Sequence, residues 1–389
     1  MQIEVTENIK YIGVDDETLD LFEGQYRLTE GVSYNSYVIL DEKVAVLDTV
    51  DARGMKEWEE KLLDTLKGRR VDYLILHHLE PDHAGGIARL RELFPEVMLV
   101  GNSKTFQILA CFFGEEFCGE CLTVKEGDKL SLGKHKLTFY MAPMVHWPEV
   151  MVSYEEKEKV LFSADGFGKF GALSKTMEED WACEARRYYF NIVGKYGLAV
   201  QNLLKKINLL SLAYICPLHG PILKENLSYY LDLYDIWSSY EPEEKGVLIV
   251  YASFHGNTAK AAKEIGKIIE EGNSLNVTIC DLARTDYSEV LEDAFRYDRM
   301  ILAAASYDAG LAFDMQMFLQ RLQRKNYQKR KVGIIENGSF AVVAGHIMKD
   351  MLLGMKDVEV LEPVVSIRGT LKEEDYNCLK ELAETILEA

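Results

Sequence analysis

The stretch His77-His78-Leu79-Glu80-Pro81-Asp82-His83-Ala84-Gly85-Gly86 places three histidines and two carboxylates within seven positions. The apolar run just before it predicts a short buried strand, so these side chains would leave the carboxyl end of a strand. Taken alternately, His78, Glu80 and Asp82 would project to one side of the chain. His83 would turn into the following helix. A polar loop could explain one histidine, but this density of ligand-type side chains predicts a metal site.

Three more ligand-type residues each follow an apolar, strand-like run further along the chain. They are His146, Asp165 and His219. Four strand ends would then deliver their side chains to one edge of a sheet structure. The predicted metal ligands are His78, Glu80, Asp82, His83, His146, Asp165 and His219.

This ordered set resembles the metallo-β-lactamase superfamily, in which a His-x-His-x-Asp-His loop followed by His, Asp and His holds two metals. Glu80 stands where the zinc enzymes of that superfamily have their second histidine. The replacement resembles the flavodiiron proteins, whose loop reads His-x-Glu-x-Asp-His. A carboxylate in place of an imidazole suits iron better than zinc. The motif therefore predicts two metals, and Glu80 favours iron.

Size and charge limit the possible classes of protein. A chain of 389 residues exceeds the usual single-domain range of about 100 to 200 residues, so two domains are expected. The net charge of −19 argues against a nucleic-acid or anionic-membrane partner, because both need a basic face. Neither a membrane-length apolar run nor a basic-then-apolar leader is evident in the sequence. We therefore expect a cytoplasmic protein.

The seven cysteines are scattered along the chain, and an odd number fits reduced thiols in a reducing compartment. Cys118-Gly119-Glu120-Cys121 is the one CxxC pair in the sequence. A rubredoxin module or a zinc ribbon would need a second such pair, so both are excluded. The pair has either a structural role or a redox role.

The periodicity of apolar residues divides the chain into two domains. We predict a hairpin from the runs 32–40 and 44–48, a helix over 53–68 and an amphipathic helix over 227–237. This mixture suits a sheet sandwich with helices on its outer faces. Polar residues, Pro and Gly break the pattern over 238–246, and we place the domains at 1–243 and 244–389.

The second domain opens with the apolar strand 247–251 and alternates strand with helix, which predicts a doubly wound parallel sheet. Directly after that strand comes Ser253-Phe254-His255-Gly256-Asn257-Thr258, followed by helix-forming residues. Hydroxyls and a glycine at the amino end of a helix form an anion-binding nest. The segment resembles the phosphate loop of flavodoxins. The alternative is an ordinary helix cap, for which Asn257 or Thr258 would suffice.

Two further loops carry a glycine and an aromatic residue at strand ends. They are Ser306-Tyr307-Asp308-Ala309-Gly310 and Asn337-Gly338-Ser339-Phe340. Ligands of open parallel sheets bind at this edge, and flavodoxin-like folds place FMN there with aromatic side chains stacked on its ring. Tyr307 and Phe340 are the candidates for stacking. No GxGxxG or Walker lysine accompanies these loops, so the three loops together predict FMN.

Both domains in this order resemble the flavodiiron proteins over essentially the whole chain. The resemblance implies a metallo-β-lactamase-like αββα sandwich followed by a flavodoxin-like doubly wound parallel sheet, with FMN and two iron ions as cofactors. It also implies the ligand sets: His78, Glu80 and His146 for one iron, Asp82, His83 and His219 for the other, and Asp165 between them. His83 is a ligand in some members and is displaced by solvent in others.

The resemblance also implies an activity and partners. FMN, reduced by an external carrier such as rubredoxin, would feed a diiron centre that reduces dioxygen to water or nitric oxide to nitrous oxide. The family forms head-to-tail homodimers or dimers of dimers, with the FMN of one protomer beside the irons of its partner. Tyr26, Tyr188 and Tyr189 are candidate proton donors, although each could serve packing instead.

Two other functions compete with this reading. One is a dizinc hydrolase whose second domain only binds a regulatory ligand, and the other is an electron-transfer protein with a structural metal loop. Glu80 discriminates against the hydrolase, because a zinc hydrolase would favour histidine at that position. An open two-metal site on strand ends disfavours the purely structural loop.

Overall fold

The computed structural model describes residues 4–176, 180–272 and 275–389. The chain divides into two compact units, one ending at Asp235 and the other beginning at Ile236. This division falls inside the helix Leu227–Ser238, shortly before the boundary predicted after residue 243. Among the described residues, no helix has both the length and the apolar character that a bilayer crossing requires.

The first unit is built from two sheets and the helices around them. Its strands are β1 (Ile9–Tyr11), β2 (Val14–Asp16), β3 (Leu21–Phe22), β4 (Tyr26–Arg27), β5 (Val32–Tyr34), β6 (Tyr37–Leu40), β7 (Val44–Leu47), β8 (Tyr73–Ile75), β9 (Met98–Gly101), β10 (Cys121–Thr123), β11 (Lys129–Ser131), β12 (Lys136–Met141), β13 (Met151–Glu155), β14 (Val160–Phe162) and β15 (Tyr214–Cys216). Its helices are α1 (Met55–Leu66), α2 (Pro81–Ala84), α3 (Ile87–Leu93), α4 (Ser103–Phe113), α5 (Leu173–Thr176), α6 (Trp181–Tyr188), α7 (Gly197–Ile207) and α8 (Leu227–Ser238). Short 3-10 turns at Glu115–Phe117 and Gly194–Tyr196 and a π-helical turn at Tyr189–Val193 complete this part.

The two sheets of the first unit form the predicted αββα sandwich. One has the order β1-β6-β7-β8-β9-β10 and the other the order β11-β12-β13-β14-β15. Apolar side chains from both sheets share one core, with Leu47 and Ile75 from the first and Phe139 and Phe162 from the second. Burial of this apolar area is the main stabilising contribution to such a sandwich.

The predicted helix over 53–68 is confirmed as α1, and the strand before the metal loop is confirmed as β8. The run 32–40 is not one strand, so that part of the prediction is wrong. β6 and β7 form the antiparallel hairpin, whereas β5 pairs with β2. The chain leaves the sheet at Asn35, whose side-chain amide donates to the carbonyl oxygens of Pro217 and Gly220 at 2.8 Å each. The interruption therefore anchors the loop that carries His219.

The second unit is a parallel sheet covered by helices. Its strands are β16 (Glu244–Ala252), β17 (Asn276–Asp281), β18 (Tyr297–Tyr307), β19 (Gly310–Leu311), β20 (Arg330–Asn337), β21 (Val358–Val360) and β22 (Val365–Ile367). Its helices are α9 (Asn257–Gly272), α10 (Tyr287–Arg296), α11 (Phe313–Arg324), α12 (Ala344–Leu353) and α13 (Asp375–Glu388).

The order β17-β16-β18-β20-β21, with β22 also paired to β20, is that of a doubly wound sheet. The pairings of β16, β17, β18, β20, β21 and β22 are all parallel. Ile249, Ile301 and Ile335 from adjacent strands form its core with helix residues such as Leu382. The predicted flavodoxin-like fold is confirmed, and the carboxyl ends of the three inner strands, β16, β18 and β20, lie at one edge of the sheet.

Candidate metal and cofactor sites

The seven predicted metal residues converge at one edge of the sandwich. His78 and Glu80 follow β8, Asp82 and His83 lie in α2, His146 lies between β12 and β13, Asp165 follows β14, and His219 follows β15. Their ligand-type atoms form two groups, each within 4.8 Å: His78, Glu80, His146 and Asp165 in one, and Asp82, His83 and His219 in the other. All except the partly buried Glu80 are buried.

Asp165 lies between the two groups and turns one oxygen toward each. Its Oδ2 lies 3.0 Å from Nε2 of His146 and 3.4 Å from Nε2 of His78. Its Oδ1 lies 3.3 Å from Nε2 of His83 and 3.8 Å from Nε2 of His219. This geometry fits a carboxylate that bridges two cations.

The loop after β8 is extended only as far as Glu80. Pro81 opens α2, a position that suits proline because the first helical N–H needs no partner within the helix. Asp82 therefore lies on a helical turn together with His83, and its predicted alternation with His78 and Glu80 is wrong. The turn directs His78 and Glu80 to one group of ligand-type side chains and Asp82 and His83 to the other.

Glu149 fixes the orientation of His78, and the sequence analysis did not identify it. Its fully buried carboxylate lies 2.8 Å from Nδ1 of His78 and accepts a 3.0 Å hydrogen bond from the Leu79 backbone N–H. A carboxylate on Nδ1 leaves Nε2 to face Glu80 and Asp165, as in many metal-binding histidines. The only signal in the sequence was its position three residues after His146.

The neighbouring histidines are anchored in similar ways. Oδ2 of Asp48 lies 2.5 Å from Nδ1 of His77, whose Nε2 lies 2.8 Å from Oγ of Ser153. His77 is buried, and both of its ring nitrogens are engaged by these two side chains rather than by the ligand groups. Nδ1 of His219 lies 2.7 Å from the carbonyl oxygen of Ser33. These contacts hold the rings in place from outside the cluster.

The cluster has the features of a cation site. Both carboxylate oxygens of Asp82 and of Asp165, both ring nitrogens of His83, and Nε2 of His146 are buried and make no hydrogen bond within the described residues. Burying polar groups in this way is costly unless a ligand satisfies them. Imidazole and carboxylate donors in these numbers fit two iron ions.

The electrostatics reflect the crowding of carboxylates and imidazoles. Burial lowers the pKa of His146, but contacts with Asp165 and Glu80 outweigh it and raise that pKa to about 9. Burial opposes ionisation of Asp165, yet the surrounding histidines hold its pKa well below the usual range. Without cations, protonated imidazoles balance the negative charge of the carboxylates. Bound cations would supply that positive charge instead and leave the imidazoles neutral.

The three candidate proton donors, all tyrosines, have different surroundings. Tyr188 lies in the cluster region, with its ring centroid 5.5 Å from that of His219, and its hydroxyl makes no hydrogen bond within the described residues. Burial and the charges of nearby cluster carboxylates raise the pKa of Tyr188 well above its ordinary value. Tyr26 donates to the carbonyl oxygen of Asn191 at 3.0 Å. Tyr189 packs on Tyr234, with ring centroids 5.1 Å apart.

A cavity of about 300 Å³ reaches the cluster beside Glu80 and Asp82. Its lining includes Glu23, whose carboxyl group is in hydrogen-bonding contact with that of Glu80. Burial and the neighbouring Glu80 carboxylate raise the pKa of Glu23 to about 7. Glu23 lies on the short β3–β4 hairpin, far from any ligand motif, so no sequence pattern pointed to it.

The second unit carries a larger cavity of about 690 Å³ at the predicted strand ends. Its lining consists of Ser253, Phe254, His255, Asn257, Thr258, Ala305, Ser306, Tyr307, Asp308, Asn337, Gly338, Ser339, Phe340 and Gly369. Most predicted cofactor residues are therefore brought together. Among the described residues, Gly256, Ala309 and Gly310 do not line this cavity. Ala305 and Gly369 line it without having been predicted.

The cavity has a polar end and an aromatic rim. α9 begins at Asn257, directly after Gly256, whose φ of +86° suits a residue without a side chain. The side chains of Phe254 and Tyr307 are about half exposed, with ring centroids 4.7 Å apart, and Phe340 is 100% exposed. A helix amino end favours a phosphate, and exposed aromatic rings favour a flat ring system. These residues fit FMN.

A hairpin and two sets of hydrogen bonds shape the loops around this cavity. Ser306 and Tyr307 belong to β18, which turns back through Asp308 and Ala309 into β19, so this part is a tight hairpin. Oγ of Ser306 accepts hydrogen bonds from the backbone N–H groups that open α12. Asn337 and Gly369 also exchange hydrogen bonds of 2.9 and 3.1 Å across neighbouring loops.

Known proteins resemble this chain in sequence and in fold. Residues 32–220 match a family model described as ODP family beta lactamase. Diflavin flavoprotein A 1 from Synechocystis is 32% identical over 298 residues, which cover 74% of this chain and 51% of that protein. An anaerobic nitric oxide reductase flavorubredoxin from Vibrio vulnificus is 27% identical over 343 residues, covering 85% of this chain and 69% of that protein.

The fold similarity extends over both units. The solved structure of rubredoxin oxygen:oxidoreductase from the anaerobe Desulfovibrio gigas matches with a TM-score of 0.93 at 25% identity, covering 100% of this chain and 98% of that one. The chain spans about half the length of the diflavin relative it matches. The chain thus has the fold of the flavodiiron proteins, and these similarities, together with the ligand groups and the flavin cavity, support an oxidoreductase with FMN and a non-haem diiron centre as its cofactors.

Proposed function

We propose that this protein reduces dioxygen to water, nitric oxide to nitrous oxide, or both. The observation that carries the proposal is Asp165, which turns one carboxylate oxygen toward each of two groups of ligand-type side chains. One relative is named a nitric oxide reductase, and one structural neighbour is named an oxygen oxidoreductase. Either gas is small enough to enter the cavity beside Glu80.

The proposed ligand sets follow the two observed groups. His78, Glu80 and His146 would hold one iron, Asp82, His83 and His219 would hold the other, and Asp165 would bridge them. When bound, the irons supply a place for the gas to bind and the flavin supplies electrons. Glu149 would keep the ring of His78 oriented, and Asp48 would hold the backbone N–H groups of His77 and His78 in place.

Tyr188 is the proposed proton donor. Its hydroxyl is buried beside the cluster and makes no hydrogen bond within the described residues, so it is available to a bound molecule. The hydroxyl of Tyr26 is already engaged by a backbone carbonyl. Reduction of either gas consumes protons, and a positioned donor would accelerate that step.

The proposed flavin site uses the three predicted loops. The backbone and hydroxyl groups of residues 253–258 would hold the phosphate at the start of α9. Tyr307 and Phe340 would flank the ring system. Electrons would come from an external carrier such as rubredoxin, because one structural neighbour is named for that donor.

The proposed assembly is a head-to-tail homodimer, or a dimer of such dimers, in the cytoplasm. This part of the proposal follows from the family resemblance. The seven free cysteines agree with a reducing compartment. Sedimentation of the loaded protein at several concentrations would test the assembly.

The test is to purify the protein anaerobically, measure iron and flavin, and follow consumption of each gas with reduced rubredoxin. We expect two irons and one FMN per chain. Glu80→Ala and Asp165→Ala should abolish turnover while FMN stays bound, because both remove a ligand oxygen from the first unit only. The control Glu96→Ala changes a carboxylate whose side chain is 84% exposed and should keep full activity.

Two outcomes would overturn this assignment. Full turnover in the Asp165→Ala protein would show that a carboxylate bridge at Asp165 is not required. Two zinc ions without flavin, in protein from iron-replete cells, would favour the dizinc hydrolase instead.

A further inference from the structure

The segment Cys118-Gly119-Glu120-Cys121 has no part in the metal cluster or in the flavin cavity. Cys118 follows the 3-10 turn Glu115–Phe117, and Cys121 is the first residue of β10. Both side chains are partly exposed, so small solutes in solvent can reach them. β10 runs parallel to β9 and β8, so its amino end and the metal loop after β8 lie at opposite edges of the sheet.

A tight turn joins the two cysteines. It runs from Cys118, at the end of the 3-10 turn, to Cys121 at the start of β10, and Cys121 is near enough to raise the pKa of the Cys118 thiol. Gly119 has a φ of +58°, which L-amino acids with side chains rarely adopt, and a Cβ there would lie 3.3 Å from Nη2 of Arg91. Glycine therefore permits both the tight turn and the close approach of a guanidinium group.

Arg91 gives the pair an electropositive neighbour. Its guanidinium carbon lies 5.0 Å from the centroid of the Phe117 ring, one residue before the pair. Burial and the neighbouring Cys121 sulfur raise the pKa of Cys118 to about 12, and the charge of Arg91 acts in the opposite direction. The raised pKa favours the thiol form of Cys118, so thiol exchange at this pair depends on its partial exposure and on the nearby cation, both of which are features of reactive cysteines.

We propose that Cys118 and Cys121 are a redox-active dithiol that closes to a disulfide by exchange with a low-molecular-weight disulfide such as oxidised glutathione. One thiolate attacks the glutathione disulfide and releases one glutathione thiol, and the second cysteine then displaces the other. The two cysteines lose two protons and two electrons, and one glutathione disulfide becomes two thiols.

Reversibility follows from the size of the loop. A disulfide gains stability mainly by restricting the unfolded chain, and the restriction grows with the number of residues enclosed. Only Gly119 and Glu120 would lie between the linked cysteines. The bond therefore adds little stability, and we expect ordinary thiol reductants to open it.

The experiment incubates the anaerobic, iron- and flavin-loaded protein in glutathione buffers of increasing oxidised fraction, blocks free thiols, and digests with a protease that cleaves after glutamate. Cleavage after Glu116 and Glu120 puts the two cysteines on different peptides, 117–120 and 121–126. Cys111 lies on a third peptide that ends at Glu115. Mass spectrometry then identifies the linked pair directly.

We expect a cross-link between 117–120 and 121–126 with loss of two of the seven thiols, reversed by dithiothreitol. Cys118→Ser and Cys121→Ser should each lose the link and carry one glutathionyl group on the remaining cysteine. Cys111→Ser, which changes an exposed cysteine on α4, should keep the link. No link in the most oxidised buffer, or a link to Cys111, would overturn the proposal even if a serine variant failed to fold.

Discussion

Glu149 is the single residue on which the orientation of His78 most depends. We expect Glu149→Ala to lower iron affinity by about 10- to 100-fold, the usual effect of losing a hydrogen-bond partner of a metal-binding histidine. Glu149→Gln keeps an acceptor oxygen and should retain more iron. Chelator-driven iron loss measures the difference, with FMN content as the internal control. Equal iron retention in Glu149→Ala and the parent protein would contradict this role.

Tyr188 gives a second prediction at the same scale. Tyr188→Phe removes an unpaired hydroxyl without changing the ring that packs beside His219. We expect kcat to fall by about 100-fold, the lower range for loss of a proton donor, while iron content stays constant. Tyr26→Phe and Tyr189→Phe should have smaller effects. Stopped-flow consumption of each gas would rank the three variants, and an unchanged kcat in Tyr188→Phe would exclude it as the donor.

The sequence predicted the residues that converge on the metal cluster because histidines and carboxylates directly after apolar strands are unusual. It could not identify Glu149, Asp48 or Glu23. A buried carboxylate on a loop looks like any surface carboxylate until the fold brings its partner near. Glu23 is the clearest case, since its position depends on how the β3–β4 hairpin packs over the cavity.

At the scale of elements, the strand ends of the second unit explain both what was predicted and what was not. The loops after β16, β18 and β20 were recognisable from glycine, hydroxyl and aromatic residues. The pairing of β18 with β19 was not, because a two-residue strand has no periodicity to detect. Gly369 was missed for a related reason, since it follows the short strand β22.

The loop after β20 carries a prediction for flavin binding. Phe340 is fully exposed at the cavity rim, and aromatic pairs contribute about 0.5 to 1.5 kcal/mol beyond area burial. Phe340→Ala should therefore weaken FMN binding by roughly 2- to 10-fold or more, whereas Phe340→Trp should preserve it. Quenching of flavin fluorescence by apoprotein gives the affinity. The control Leu353→Ala alters an apolar side chain that is 60% exposed and outside the cavity lining, and it should leave FMN binding unchanged.

At the scale of the whole molecule, we expect loss of metal to lower the thermal stability of the first unit but not FMN binding by the second. Removing iron leaves buried carboxylates and imidazoles without the cations that would offset their burial. We expect anaerobic chelation to lower the Tm of the first unit, since a ligand that binds only the folded state stabilises it. Calorimetry with flavin fluorescence should show the second unit retaining FMN. Equal Tm values with and without iron would show that the metals contribute nothing to folding.

Asp165 has a further consequence for how the centre fills. One carboxylate group turns an oxygen toward each ligand group, so an ion bound in one group would hold the residue in place for an ion in the other. Occupancy of the two positions would then be coupled, and we expect chains holding a single ion to be scarce at partial loading. At low iron supply, some chains would hold two ions and the others none. The fraction of active chains would then follow the iron supply, while the activity of each active chain would stay the same.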